Sequence, residues 1–343
     1  MISCPCALVI SIPLGYFGGI GAASRNGILF KGSNFLDMIA NVTTVVMDKT
    51  GTLTKGVFKV QKVVTNDISE SEFLSTLSSV ESHSTHPIAK AISQFHPSNQ
   101  NPESVEEISG KGIKAVINQK QILAGNTQLL KSFNINYPSE LDQIVETTVV
   151  LAIDNHYKGY VVISDEVKED SELAIKNLKN AGVKTMMLSG DKDALTQNIA
   201  KKLVIDSAFG GLLPEGKVDK LQNLKNNPRE IVAFVGDGIN DAPVLALSDV
   251  GIAMGGLGSD VAIETADVII QTDQPSKIST AIKIGKATKK IVYQNIALAF
   301  GVKIIVLILG AGGLANMWEA VFADVGVALL AILNAVRIQN MKF

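Results

Sequence analysis

The chain has 343 residues, 46% of them hydrophobic and 19% charged, which is enough for two soluble domains that each bury a core. Its formal net charge of −2 gives no global positive field, which excludes a protein that binds nucleic acid through a broad basic surface. The two cysteines, Cys4 and Cys6, are one residue apart, and this spacing favours a reduced or metal-binding pair over a disulfide framework.

Three apolar runs lie near the two ends of the chain. Residues 1–24 carry no charge, residues 291–318 contain only Lys303, and a third run covers 325–336. The first two have the roughly 20 residues that a helix needs to cross a bilayer. Basic residues follow the first run and precede the second, which is typical of spans whose flanks face the cytoplasm. We therefore expect a multi-pass protein of the cell (plasma) membrane, with lipid as a partner and its large domains cytoplasmic.

Between these runs, β-branched segments alternate with amphipathic helices. This alternation predicts an α/β fold built on a doubly wound parallel sheet. An aspartate closely follows each of three predicted strands, and the carboxyl ends of parallel strands form the crevice in which open α/β sheets bind ligands. The predicted strands and their aspartates are Val42–Met47 with Asp48, Thr185–Leu188 with Asp191, and Ile231–Val235 with Asp237.

Residues 56–157 interrupt the alternation with hairpin-like strands and one helical stretch. We interpret them as an α+β domain inserted after the first strand of the sheet domain. The predicted organisation is a membrane segment at 1–24, the sheet domain at 25–55 and 158–285, the inserted domain at 56–157, and two membrane helices within 288–338.

The most specific motif is the heptapeptide from Asp48 to Thr54, with the sequence DKTGTLT. A carboxylate at a strand end, followed by a glycine-containing loop, is suited to attack a phosphoryl group and form an aspartyl phosphate. Loop N–H groups and threonine hydroxyls are suited to hold phosphate oxygens. Haloacid-dehalogenase-like (HAD-like) phosphatases place a second aspartate two residues after the nucleophile, where this chain has Thr50. Without that carboxylate, we expect the acyl phosphate to persist.

The heptapeptide resembles the signature of the P-type ATPases, and Gly236–Pro243 (GDGINDAP) resembles the hinge motif of the same family. The resemblance implies a HAD-like phosphorylation domain with Asp48 as nucleophile. It implies Mg²⁺ bound by Asp48, Thr50 and Asp237, a contact from Asn240 to the phosphoryl group, and support of the loop by Asp241.

Further catalytic residues are expected in the same domain. Lys217 lies in a Pro-Glu-Gly-Lys context and is our candidate for the cation that neutralises the phosphoryl oxygens. The family's Thr-Gly-Asp motif corresponds here to Ser189, Gly190 and Asp191, and Lys49 belongs to the heptapeptide itself. The simpler alternatives are a solvated surface lysine at 217 and a helix-capping role for Asp191.

The chain has no Walker A pattern, so ATP must be bound in another way. A set of residues in the inserted domain matches, in order and spacing, the adenosine-binding set of the heavy-metal P-type ATPases. The resemblance implies that the inserted domain binds nucleotide, with His86 orienting it and a carboxylate accepting a hydrogen bond from the adenine amine. The full set is Glu81, His86, Gly110, Gly112, Gly125 and Asn126.

A soft-metal site is predicted in the membrane. Cys4 and Cys6 flank Pro5, which breaks a helix and allows both sulfurs to turn toward one ion. Thiolates select soft ions such as Zn²⁺, Cd²⁺, Pb²⁺ or Cu⁺. Asp324 is expected to complete a divalent site, and Lys303 to act as its counter-charge. Both residues match the zinc, cadmium and lead branch of the family.

The resulting hypothesis is ATP-driven export of a soft divalent metal by a chain that resembles the C-terminal half of such a pump. The alternatives are a Cu⁺-transporting P-type ATPase, a membrane-tethered HAD-type phosphatase, and a non-catalytic nucleotide-binding remnant. Copper pumps carry Tyr-Asn and Met-x-x-Ser-Ser patterns in these spans, and neither occurs here. The actuator motif Thr-Gly-Glu is not found, so we expect no transport by this chain alone and a possible partner in an N-terminal half.

Overall fold

A computed structural model describes residues 6–84, 86–98, 100–238, 241–255, 260–313 and 317–343. These residues form two compact units. The first comprises the residues up to Leu53 together with Lys168–Phe343, and the second is Thr54–Val167.

The elements are numbered here in chain order. The first unit begins with α1 (Cys6–Arg25), β1 (Ile28–Phe30), α2 (Asn34–Ala40) and β2 (Thr44–Asp48). The second unit contains β3 (Thr54–Thr65), α3 (Glu70–Glu81), α4 (Pro87–Phe95), β4 (Ser104–Ile108), β5 (Gly112–Ile117), β6 (Lys120–Gly125), α5 (Thr127–Ser132), β7 (Thr147–Ile153) and β8 (His156–Val167). The first unit resumes with α6 (Ser171–Asn180), β9 (Lys184–Leu188), α7 (Asp193–Leu203), β10 (Ser207–Phe209), α8 (Pro214–Lys225), β11 (Val232–Gly236), α9 (Ala242–Leu247), β12 (Val250–Met254), α10 (Asp260–Thr265), β13 (Val268–Ile270), α11 (Ser276–Ala311) and α12 (Met317–Val336).

The first unit is organised around a seven-stranded sheet with the order β1-β13-β12-β11-β2-β9-β10. All pairings are parallel except that of the short edge strand β1 with β13. The predicted doubly wound parallel sheet is therefore confirmed, with one antiparallel edge strand added. The three strands predicted from the β-branched runs are β2, β9 and β11, and they lie side by side at the centre of the sheet.

Three neighbouring strands of the sheet, β12, β11 and β2, are buried along their whole length because helices cover the sheet. Every residue of β2, β11 and β12 is buried. Phe234 on β11 packs with Val46, Leu221 and Val244 in one apolar cluster. A fully buried strand has no solvated face, which is why these segments are continuous apolar runs and not alternating ones. This packing fixes where the carboxyl ends of β2 and β11 lie.

The second unit is a six-stranded antiparallel sheet with the order β3-β8-β7-β6-β5-β4. It is longer than the predicted insertion of 56–157, since it runs from Thr54 to Val167. The reason is that β3 and β8 are long strands that pair from Thr54 opposite Val167 to Thr65 opposite Gly159. Helices α3 and α4 contribute to one of its apolar clusters, and α5 contributes to another.

Among the residues that the structure describes, two helices, Ala7–Arg25 within α1 and Ser276–Ala311 (α11), are long and apolar enough to cross a membrane. Helix α11 starts at Ser276, well before the predicted boundary at 288, because its first part is amphipathic. That part buries Ile278, Ala281 and Ile282 and exposes lysines. The third predicted run lies in α12. Close packing of α1 on α11 uses Gly15 and Gly19, whose added Cβ atoms would meet Val292 and Thr288.

Candidate functional site

Asp48 is the last residue of the central strand β2, between β9 and β11. The residue is only 7% exposed, because it ends a strand that is buried at every position. A carboxylate in this position loses most of its hydration. Burial, followed by the nearby carboxylate of Asp241, raises the pKa of Asp48 to about 7, and Lys217 opposes this effect. Even with the Lys217 ammonium group beside it, the environment of Asp48 therefore disfavours the charged form relative to water.

The turn Lys49–Leu53 has a shape that requires glycine. Thr50 (φ −75°, ψ 129°) and Gly51 (φ 74°, ψ −21°) have the backbone angles of the central pair of a type II turn. The positive φ of Gly51 is one reason for glycine. A second is steric, since a Cβ added at Gly51 would collide with the carboxylate of Asp237. The turn thus allows Asp237 to approach the backbone beside Asp48.

Three carboxylates converge at the carboxyl ends of β2 and β11. Asp48, Asp237 and Asp241 each offer one oxygen, and these oxygens all lie within 4.8 Å of one another. Burial and the neighbouring Asp241 raise the pKa of Asp237 to about 6. Asp241, expected from the family resemblance to support the loop, also has its carboxylate within this cluster. Asn240, the predicted phosphoryl contact, lies outside the described residues.

Lys217 supplies the positive charge of the cluster. It lies in the first turn of α8, which begins with Pro214. Its Nζ donates to Asp48 Oδ1 at 2.5 Å and to Asp241 Oδ1 at 2.8 Å. Burial lowers the pKa of Lys217, but the two carboxylates raise it by more, so that the net shift is upward. Lys217 is 8% exposed, which contradicts the alternative of a solvated surface lysine.

The segment Ser189–Asp191 follows β9 at the same edge of the sheet, because Asp48 pairs with Leu188 in the strand register. Ser189 is buried, and its Oγ accepts a hydrogen bond from the Asp191 amide at 3.1 Å. Asp191 forms an ion pair with the buried Lys49 and is not the N-cap of α7, which is Lys192. Thr50 is exposed at this edge. The structure therefore brings the predicted loop residues together and does not support the capping alternative.

One buried residue of this site was missed by sequence reasoning. Lys168 follows β8 at the return to the first unit, and its Nζ donates to the Gly51 carbonyl at 2.6 Å. It also pairs with Asp273 at 2.9 Å. Lysine is common and no motif surrounds this one, so the only available signal was its position at the junction of the two predicted domains.

In the second unit, four residues of the predicted nucleotide set form one loop system. Gly112 on β5 pairs with Gly125 on β6, and a Cβ on either would collide with the opposite backbone. Asn126 caps α5 and donates from Nδ2 to the Gly110 carbonyl at 2.9 Å. These glycines therefore have a structural reason that is independent of any ligand, and Asn126 holds the loop in shape.

The other two members of the set lie at the adjoining ends of α3 and α4. Glu81 ends α3 and is 7% exposed. Burial, and then the nearby Glu107, raises the pKa of Glu81 to about 7. His86 is exposed and caps α4, since its Nδ1 accepts from the Ile88 amide at 3.2 Å. A buried carboxyl group beside an exposed imidazole is a suitable arrangement for a purine amine and a phosphate.

The predicted membrane site is described in part. Cys4 and the side chain of Cys6 lie outside the described residues. Lys303 on α11 and Asp324 on α12 are both partly buried. The two helices are joined where Asn295 Nδ2 donates to the Ala331 carbonyl at 2.9 Å. Lys303 lies eight residues after Asn295, and Asp324 lies seven residues before Ala331. Because the two helices are antiparallel, both residues are about 10–12 Å from this contact in the same direction, and they lie at a similar level along the helix pair.

Comparisons with known proteins agree with this geometry. Residues 42–249 match the haloacid dehalogenase-like hydrolase family. A zinc-transporting ATPase of Synechocystis sp. is 55% identical over 98% of this chain and 47% of its own length. A cadmium, zinc and cobalt-transporting ATPase of Bacillus subtilis is 50% identical over 100% of this chain and 49% of its own length. The crystal structure of a zinc-transporting PIB-type ATPase in the E2.Pi state superposes with a TM-score of 0.89 and 36% identity, over 98% of this chain and 56% of that one. The chain thus spans about half the length of these relatives.

Proposed function

The chain belongs to the haloacid dehalogenase-like hydrolases and, within them, to the P-type ATPases, and from this premise we propose that it acts in the ATP-driven export of a soft divalent metal ion, Zn²⁺, Cd²⁺ or Pb²⁺. The observation that carries the proposal is the pair of hydrogen bonds from Lys217 to the buried carboxylates of Asp48 and Asp241. That arrangement gives a strand-end aspartate a cation and metal-binding neighbours, as a phosphoryl acceptor requires.

The carboxylate cluster fits Mg²⁺. Its donors are hard oxygens, which this ion prefers. If Asp48, Asp237 and Asp241 are all ionised, Lys217 neutralises one of their three negative charges, and a divalent cation would balance the other two. We propose that these carboxylates, with Thr50 from the adjoining turn, hold the ion. When bound, Mg²⁺ would neutralise charge on the phosphate oxygens.

The reaction proposed for Asp48 is the transfer of the γ-phosphoryl group of ATP to its carboxylate. A carboxylate oxygen forms a bond to phosphorus, the bond between phosphorus and the bridging oxygen breaks, and ADP leaves with that electron pair. Lys217 stabilises the charge that develops on the transferred group. Ser189 and the Lys49–Leu53 turn lie at the same edge of the sheet, and we propose that the Ser189 Oγ and the amides of the turn contact the oxygens of the transferred group.

We propose that the phosphoenzyme persists because no carboxylate lies two residues after Asp48. Thr50 occupies that position, and a hydroxyl group is a poor general base at neutral pH. Release would then require a general base that this turn does not supply. A phosphatase, in contrast, would release the phosphate without help.

The nucleotide is proposed to bind the second unit through Glu81, His86 and the loop held by Asn126. A buried carboxyl group is suited to accept a hydrogen bond from the adenine amine. The exposed His86 is suited to orient the triphosphate, and the glycines of the β5–β6 pair permit close backbone approach.

The exported ion is proposed to bind Cys4, Cys6 and Asp324, with Lys303 as counter-charge. Thiolates favour soft ions, and a carboxylate favours a divalent over a monovalent one.

We also propose that the chain is a multi-pass protein of the plasma membrane. Arg25 at the end of α1 donates to the Gln339 carbonyl at 2.5 Å, which places the basic ends of α1 and α12 on the same side. By the positive-inside rule this side is cytoplasmic.

The test is phosphorylation of the full chain in detergent or nanodiscs with γ-labelled ATP. We expect an acid-stable, hydroxylamine-sensitive label that Asp48→Asn abolishes. Asp249→Asn is the matched control, because Asp249 lies at the opposite end of the same sheet and accepts from the Val232 amide. Labelling that survives Asp48→Asn would refute the assignment of the nucleophile. Rapid loss of label from the wild type without any added domain would indicate a phosphatase.

A further inference from the structure

The phosphorylation turn, Lys49–Leu53, is held in place by groups from the segment that follows β8. The Lys168 amide donates to the Leu53 carbonyl at 3.0 Å, and Ser171 Oγ donates to the same oxygen at 2.7 Å. Lys168 Nζ donates to the Gly51 carbonyl at 2.6 Å. Lys168 is 7% exposed, so its ammonium group is committed to these partners and little hydrated.

The peptide that Lys168 holds is the one against which Asp237 rests. The carboxylate of Asp237 lies so close to the α-carbon of Gly51 that a methyl group there would collide with it. A displacement of this peptide would therefore move Asp237 relative to Asp48 and Asp241. Since the three carboxylate oxygens converge within 4.8 Å, the geometry of the cluster depends on the turn keeping its place.

Lys168 is itself fixed by Asp273, which pairs with it at 2.9 Å and has a φ of 56°. Asp273 lies three residues before α11, and the amide of Ser276, the first residue of that helix, donates to Asp170 Oδ2 at 2.8 Å. Lys168 and Asp170 thus connect the turn on one side with the start of α11 on the other. The position of the Lys168 ammonium group is therefore fixed by two separate parts of the first unit, the turn at Gly51 and the segment at Asp273.

We propose that Lys168 is a positioning residue for Mg²⁺ at the phosphorylation turn. It contacts neither the ion nor the phosphoryl group, and it acts through the Gly51 peptide that supports Asp237. This inference rests on the proposed function, because it takes the three carboxylates as the Mg²⁺ site. A purely structural lysine that neutralises Asp273 would contribute to folding but would leave the affinity for Mg²⁺ unchanged.

The test measures Mg²⁺ affinity directly, by calorimetric titration of the full chain in nanodiscs without nucleotide. We expect Lys168→Met to raise the Mg²⁺ dissociation constant by about 10- to 100-fold, the usual effect of losing a group that supports a metal ligand. Lys168→Arg, which keeps a buried cationic donor, should recover most of the affinity. ATP binding, followed with a fluorescent nucleotide analogue, should be unchanged because it belongs to the second unit.

Lys225→Met is the matched control. Lys225 donates to the Leu247 carbonyl at 2.7 Å and pairs with Asp249 at 3.0 Å, the same pattern of one carbonyl and one carboxylate, at the other end of the sheet. Its Mg²⁺ affinity should equal that of the wild type. Wild-type affinity in a folded Lys168→Met variant would overturn the proposal, and so would a wild type that does not bind Mg²⁺.

If the Lys168→Met variant does not fold, the same Mg²⁺ titration of the Asp273→Asn variant tests the proposal. This substitution keeps the volume of the side chain and weakens the hold on Lys168, so a several-fold rise in the Mg²⁺ dissociation constant is expected, and no rise would refute the inference. The proposed function is judged separately, because absence of a phosphoenzyme in the wild type would refute it while the nucleotide-free Mg²⁺ titration still decides the role of Lys168.

Discussion

Neutralising the predicted nucleophile is expected to stabilise the metal-free protein. Burial, followed by the carboxylate of Asp241, raises the pKa of Asp48 from 3.8 to about 7. Ionising the folded carboxyl group at neutral pH and above therefore costs about 4 kcal/mol relative to the unfolded chain. Asparagine has nearly the same shape and no charge, so Asp48→Asn removes this cost. Lys217 keeps its second bond, to Asp241.

The pH dependence follows from proton binding. Below pH 3.8 the carboxyl group is protonated in both the folded and the unfolded chain, and the stability that the protonated side chain gives to the folded chain is fully present. As the pH rises toward 7, the unfolded chain has lost the proton while the folded chain still holds it, so this stabilisation is progressively lost. The advantage of Asp48→Asn over the wild type should be small near pH 4 and reach about 4 kcal/mol at pH 8.

The assay is thermal unfolding of the detergent-solubilised chain in EDTA at pH 5 and pH 8. For a unit of this size, about 4 kcal/mol corresponds to roughly 10 °C in the melting temperature at pH 8. Added Mg²⁺ should narrow the difference, since it binds the ionised wild type. Asp249→Asn serves as control and should destabilise at both pH values, because Asp249 accepts from the Val232 amide and pairs with Lys225. An Asp48→Asn variant no more stable than the wild type at pH 8 would refute the reasoning.

Three further predictions concern single residues. Gly51→Ala should reduce phosphorylation of the chain by more than about 100-fold with ATP affinity unchanged, because the methyl group would displace Asp237; normal labelling would contradict the turn geometry. Val204→Gly should raise the free energy of unfolding by about 1 kcal/mol in denaturant titrations, because Val204 caps the C-terminus of α7 with a φ of 59° and is 63% exposed. A loss of stability would argue that the valine side chain is needed. The affinity for ATP should fall as the pH drops below about 7, where Glu81 becomes protonated, and Glu81→Gln should remove this dependence; a pH profile shared by both proteins would exclude Glu81 as its cause.

The fold class and the strand-end aspartates were predictable because buried parallel strands leave a clear pattern in the chain. An apolar, β-branched run has to lie between neighbouring strands, and its carboxyl end has to meet theirs, so the sequence alone predicts that Asp48 and Asp237 lie close together. Lys217 was chosen from its local Pro-Glu-Gly-Lys context alone. That context does not indicate that Lys217 is buried or that it contacts two carboxylates, because the local sequence carries no information on burial.

The parts that sequence reasoning missed depend on distant pairings. Lys168 meets Gly51 and Asp273, which are 117 and 105 residues away, and no spacing rule relates positions separated by an inserted unit. The true extent of that unit was missed for a similar reason. The pairing of β3 with β8 along their length assigns the ends of both strands to the insertion, and this pairing joins segments that are far apart in the chain.

The continuity of α11 has a mechanical consequence. Its 36 residues form one rod about 54 Å long, without an internal proline. The first half is clamped, since Ser276 is held by Asp170 and a Cβ at Gly285 would clash with α2. Beyond Thr288 the helix continues for about 35 Å and packs on α1 at Val292 and on α12 at Asn295. A tilt of about 10° at the clamp would carry its last turn sideways by about 6 Å and would have to move these neighbours with it. The same tilt would move Lys303, about 22 Å beyond Thr288, by about 4 Å, so a small movement near the start of α11 becomes a larger one along the helix.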